Sequence, residues 1–118
     1  YLYNALLYNP NNPYVILMLA WAQNVYFEGI EDSTFERLEN LKADDAEMLS
    51  MIEYAKSWYY SSRNNYEEYE KHALNSIMYC DKYVNNLHDF AIYCMAKGNF
   101  QKSSQLCKLA LANIREVD

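Results

Sequence analysis

The chain has 118 residues, of which 52% are hydrophobic, with only two Gly and two Pro. This composition excludes an intrinsically disordered chain, and the shortage of breakers opposes a turn-rich β architecture. The net charge of -6 comes without any Lys/Arg cluster, so nucleic acid is not an expected partner: phosphates need basic neutralisation.

In chain order, Ala5 to Asn9 reads as a helix end, Pro10 as a stop, and Pro13 as the first turn of a new helix. Residues 1–9 are then the second helix of a truncated repeat. The apolar run Tyr14 to Phe27 carries Gln23 and Asn24 and is too short to span a membrane. It predicts a buried helix over 13–27. A second helix is expected over 33–42, with Asp32 or Ser33 as N-cap and Glu36 in its first turn. Helices over 44–62 and 65–83 follow, with Asp44 or Asp45 capping the first. Helices over 86–97 and 100–115 complete the layout. Strands have little support, because alternating β-branched runs are missing and Thr34 is the sole Thr.

A shift of 34 residues superimposes parts of the chain. Tyr66 falls on Phe100, Asn64-Asn65 on Gly98-Asn99, and Ser76-Ile77 on Ala110-Leu111. Ser57 falls on Ala91, and Tyr60 on Cys94. Asn64 and Gly98 suit the left-handed conformation that ends a helix. Tyr66 and Phe100 are expected to plug the gap between two antiparallel helices. The small residues Ser57, Ala91, Ser76 and Ala110 allow close backbone approach. Each unit is then a helix hairpin that must stack on a neighbour to cover its apolar face.

The segment Ala5-Leu6-Leu7-Tyr8-Asn9-Pro10-Asn11-Asn12-Pro13 resembles the junction of the tetratricopeptide repeat family. The segment 97–111 resembles the second half of that repeat, through Gly98, Phe100 and Ala110. The chain departs from the family pattern at Ile16, Glu53, Leu87 and Tyr69, and its first full repeat is about three residues longer than the family period, with the extra length near Gly29 to Ser33. The resemblance implies an all-α single domain over 1–118. It would hold about three repeats of stacked antiparallel hairpins, wound as a right-handed superhelix after a truncated half-repeat.

It also implies a concave groove lined by the first helix of each hairpin. Carried residue by residue, the groove positions are Tyr14, Leu17, Trp21, Asn24 and Val25 in the first full repeat. The second offers Met51, Tyr54, Trp58, Ser61 and Ser62, and the third Asn85, His88, Ile92, Met95 and Ala96. Trp21 and Trp58 land on equivalent positions, as binding anchors or as core between hairpins. Family members that bind acidic chaperone tails use Lys and Arg at such positions. None stands here, so a segment with apolar anchors is the expected ligand.

Chemistry-bearing residues are sparse. His72 and His88 are the two histidines, and His72 sits four residues after Glu68, a spacing common on exposed helix faces. No nucleophile, base and orienter can be assembled into a catalytic set, so no enzyme and no cofactor is expected. Cys80, Cys94 and Cys107 are odd in number and widely spaced, which fits neither a disulfide framework nor a zinc pattern. Cys94 and Cys107 are expected to fill core, in a reducing, cytoplasmic setting. From Glu28 to Glu53 nine acids face Arg37 and Lys42, a net of -7; this is either a solvated edge or a means of steering a basic partner. From Lys82 to Asp118 the net is +2. Leu106, Leu109, Ala110, Leu111 and Ile114 give the last helix a broad apolar surface without a polar cap. Either more protein follows or two copies pair through terminal helices.

The function expected is a scaffold for a protein or peptide partner, with no membrane role. The alternative is a ligand- or peptide-sensing module of a bacterial regulator or signalling protein. A third reading is a helical portion of an enzyme, whose catalytic set would lie outside these residues.

Overall fold

The computed structural model describes the backbone of residues 12–117 and side chains as far as Ile114. The expected helix over 1–9 lies outside these residues, as does most of the Ala5 to Pro13 junction. Among the described residues there are six helices and no strand: α1 (Pro13–Tyr26), α2 (Asp32–Glu39), α3 (Ala46–Ser62), α4 (Tyr66–Tyr79), α5 (Val84–Ala96) and α6 (Phe100–Val117).

Local chemistry accounts for most helix ends. Asn12 caps α1 by accepting from the N–H groups of Tyr14 and Val15 at 3.0 and 3.3 Å, and Pro13 follows at the first turn. Asp45 caps α3 by accepting from the Glu47 N–H at 3.1 Å. Two turns then share one geometry. Asn64 and Gly98 both take positive φ, +59° and +85°. Asn65 and Asn99 then cap α4 and α6 by accepting from the Glu68 and Lys102 N–H groups. These two short turns fold α3 against α4 and α5 against α6.

Some boundaries differ from the sequence expectation. Helix α2 starts after Glu31, which makes no side-chain cap, and neither Asp32 nor Ser33 is the N-cap. It ends at Glu39 instead of 42, because Leu41 and Ala43 turn inward to pack against the core of α1 to α3. Helix α4 ends at Tyr79 instead of 83. Cys80 is extended there, and the Asn113 side chain of α6 holds the following loop by donating to the Asp81 carbonyl at 2.9 Å.

The core has two apolar clusters. The first joins α1, α2 and α3 through Ile16, Leu19, Ile30, Leu38, Ile52 and Ala55. The second joins α4, α5 and α6 through Ala73, Leu87, Phe90, Ala91, Cys94, Leu106 and Ala110. Between them α3 and α4 meet through small and polar residues. Ser50 donates to the Ser76 carbonyl at 2.7 Å, and Ser76 donates back to the Ser50 carbonyl at 2.8 Å. The Asn86 amide of α5 donates to the Ser76 hydroxyl at 2.7 Å, so three helices share one buried polar node. Ser57, Ala91, Ser76 and Ala110 are all buried, as close approach requires.

Several side chains stand elsewhere than expected. Tyr66 and Phe100 do not plug the interhelical gap; they open α4 and α6 and are 43% and 67% exposed. Tyr69, Phe90 and Tyr93 fill that role, with the Tyr69 and Tyr93 rings 4.9 Å apart. Cys94 is buried, but Cys107 points outward, because the inward face of α6 runs through Ser103, Leu106 and Ala110. Leu106, Leu109 and Ala110 are covered by α5, while Leu111 and Ile114 remain exposed. No described helix is long and apolar enough to cross a membrane.

Candidate functional site

An open groove of about 850 Å³ lies on the side where α1, α3 and the start of α5 stand next to one another. Helix α1 supplies Tyr14, Leu17, Met18, Trp21, Asn24 and Val25. Their spacing of three or four residues puts them on one helical face. Helix α3 contributes Met51, Tyr54 and Trp58, again on one face. The α4–α5 loop and α5 add Tyr83, Val84, Asn85, Asn86 and Asp89.

Leu17 is buried and forms the floor. Tyr14, Met18, Trp21 and Val25 keep about half or more of their surface in solvent. Large apolar side chains left uncovered along one wall are characteristic of an interaction surface. Trp58 is half-buried and does two things: it packs against the core of α1 to α3 and it faces the groove. Its indole meets Tyr54 edge to face, with ring centroids 4.8 Å apart. Trp21 meets Tyr26 in the same manner at 6.1 Å.

Tyr14, Leu17, Trp21, Asn24, Val25, Met51, Tyr54, Trp58 and Asn85 are therefore brought together. Ser61, Ser62, His88, Ile92, Met95 and Ala96 do not line this groove. The groove face of α5 runs through Asn85, Asn86 and Asp89, and His88 stands one residue, about 100° of helix rotation, away from Asp89. Ile92 and Met95 follow His88 on its own stripe and are exposed. Ser61 and Ser62 lie at the end of α3, where Ser62 meets the Gly29 turn. Met18, Tyr83, Val84, Asn86 and Asp89 were not among the expected positions. The signal for Met18 was its spacing from Tyr14, Trp21 and Val25. For Asp89 it was its place as the one acid of α5.

The groove is aromatic and amide-rich, with a single formal charge at Asp89. Tyr54 donates its hydroxyl proton to the Asp89 carboxylate. Burial, then the Asp89 hydrogen bond and charge, push the Tyr54 phenol far above its ordinary range. Tyr83 is likewise raised, by burial first and then by the charges of Glu47 and Asp45. Both phenols are therefore neutral donors at any physiological pH. The arrangement offers apolar contact, ring faces and one fixed carboxylate, which suits reversible binding.

His88 is not in the lining, but its Nδ1 lies 3.5 Å from the Asp89 carboxylate, whereas His72 packs between α3 and α4. His72 is half-buried, in contrast to the exposed face expected for it. Its Nδ1 is 2.7 Å from the Glu53 carboxylate, and its ring stacks on Tyr60 at 5.3 Å. Asn75 donates to the same carboxylate at 3.2 Å. This cluster ties α3 to α4 at the far side of the hairpin. Among the described residues no group of three or more His, Cys, Asp or Glu could hold a metal. No family model, curated protein or solved structure matches the chain.

Proposed function

We propose that the chain is a tetratricopeptide-like interaction scaffold that holds a peptide or protein segment in the groove of its first helices and performs no covalent chemistry. One observation carries the reading. Side chains from three helices that are far apart in sequence converge on a single concave, aromatic surface with no Lys or Arg. The repeat architecture draws support from the paired turns at Asn64 and Gly98 and the paired caps at Asn65 and Asn99. It also fits the elongated outline, 45 × 33 × 24 Å. A right-handed superhelix of stacked hairpins is the arrangement this reading expects.

The test places a photo-crosslinking amino acid at Met18, inside the groove, or at Lys71, on an exposed face of α4. Partners should be captured from Met18 and not from Lys71. Replacing both Trp21 and Trp58 with Ala in the Met18 probe should cut the yield by about tenfold, the loss of one good aromatic anchor or more. Equal capture from both positions, or capture insensitive to the Trp substitutions, would refute the groove as the binding surface.

A further inference from the structure

We infer that the segment held in the groove is amphipathic and carries one basic side chain, Lys or Arg, that docks on Asp89 while its apolar side chains settle against Met18, Trp21 and Trp58. The inference rests on the groove reading above and specifies the chemistry of its occupant. Asp89 is the one formally charged side chain lining the groove. It stands on a helix with no other acid and with no Lys or Arg. A carboxylate in a groove wall loses hydration when a guest covers it, and that loss is costly unless a cation arrives with the guest.

The partners already present leave room for one. Tyr54 donates to Oδ2 of Asp89 and supplies a dipole, not a positive charge. The upward shift of its phenol, from burial and then Asp89, keeps that proton on Tyr54. His88 Nδ1 lies 3.5 Å from Oδ1, on a side chain that is 65% exposed and leaves Oδ1 open on its solvent side. A carboxylate has about four acceptor positions, so a guest ammonium or guanidinium still finds its share. Tyr54 hydrogen-bonds Asp89 directly and Trp58 meets Tyr54 edge to face, and aromatic faces attract cations. Tyr83, also in the lining, feels the negative charges of Glu47 and Asp45, which help to raise its phenol after burial.

An acidic guest would meet this field as a repulsion. A wholly apolar guest would cover Asp89 without compensating it. Both effects select the same partner, and the rejection of the others contributes as much as the attraction.

A phage-displayed library of random dodecapeptides, panned on the chain and its variants, tests the idea. The chain should enrich peptides with apolar anchors and one Lys or Arg at a constant spacing from them. Asp89→Asn keeps an acceptor for Tyr54, and it should keep the apolar anchors but lose the basic position. Asp89→Lys should exchange it for Asp or Glu. In fluorescence anisotropy, replacing the basic residue of an enriched peptide with Gln should weaken binding to the chain by about fivefold, typical of a half-exposed ion pair, and leave binding to Asp89→Asn unchanged.

Circular dichroism checks that each variant folds, and if Asp89→Lys does not, the Asn variant decides. Enriched peptides that are lost on Trp21→Ala/Trp58→Ala yet show no basic preference would overturn the inference and leave the groove reading standing. Enrichment that survives the double Trp substitution, or no enrichment at all, would overturn both.

Discussion

At Gly29 the backbone has φ of +145°, and an added Cβ would stand 2.6 Å from the Ser62 hydroxyl. Gly98 also has positive φ, +85°, but open space around it. Both positions strain an L-residue, and only Gly29 adds a collision. Gly29→Ala should therefore cost about 1–3 kcal/mol in urea denaturation, more than the ~1 kcal/mol expected for Gly98→Ala. Equal losses would mean that the α1–α2 turn does not lean on the end of α3. The same turn is clamped by Arg63, which donates to the Ile30 carbonyl and pairs with Asp32, each at 3.0 Å. Glu53 offers a second test at this scale. Burial raises its carboxyl, but the His72 hydrogen bond and charge, with Lys56, more than reverse this and hold it below its ordinary 4.5. A depressed carboxyl contributes stability that is present above the unfolded value and lost as pH falls through the folded one. The urea midpoint should thus drop as pH falls below about 4.5, and Glu53→Gln should flatten part of that drop. Parallel pH profiles for the two proteins would remove Glu53 from the account.

Among the elements, α3, α4 and α5 are joined by the Ser50, Ser76 and Asn86 node. Ser76→Ala removes one oxygen but leaves the buried Asn86 amide without its acceptor. The expected cost is about 1–3 kcal/mol, the range for an unsatisfied buried group. Ser104→Ala, on the exposed face of α6, should change stability by less than about 0.5 kcal/mol. A Ser76→Ala protein as stable as the Ser104→Ala control would show that the node contributes nothing. The helices themselves were legible in the sequence. Pro13, Asn64, Gly98 and the apolar spacing act through neighbours a few residues away. The ends of α2 and α4 were less legible, because Leu41, Ala43 and Asn113 impose them through contacts distant along the chain.

Across the molecule, two apolar clusters are separated by a polar seam between α3 and α4. Where packing passes mainly between neighbouring helices, stability is distributed through nearest neighbours. Phe90 is 1% exposed at the centre of the second cluster. Phe90→Ala should cost about 3–5 kcal/mol and raise amide exchange in α5 and α6 first. Exchange in α1 and α2 should rise much less. A uniform rise over all six helices would mean one cooperative core instead of two coupled ones.

The sequence by itself determined the helical character, the hairpin turns at Asn64 and Gly98, and the small residues where helices approach closely. Each depends on backbone preference or on spacing within one helix, and both are local. Only the tertiary structure decided how each helix is rotated about its axis. One residue of rotation is about 100°, so a small change in packing puts Asp89 in the groove in place of His88 and turns Cys107 outward. It also decided that His72 meets Glu53 and that Gly29 meets Ser62. Such pairings follow from which surfaces the neighbouring helices offer, and no local pattern encodes that choice.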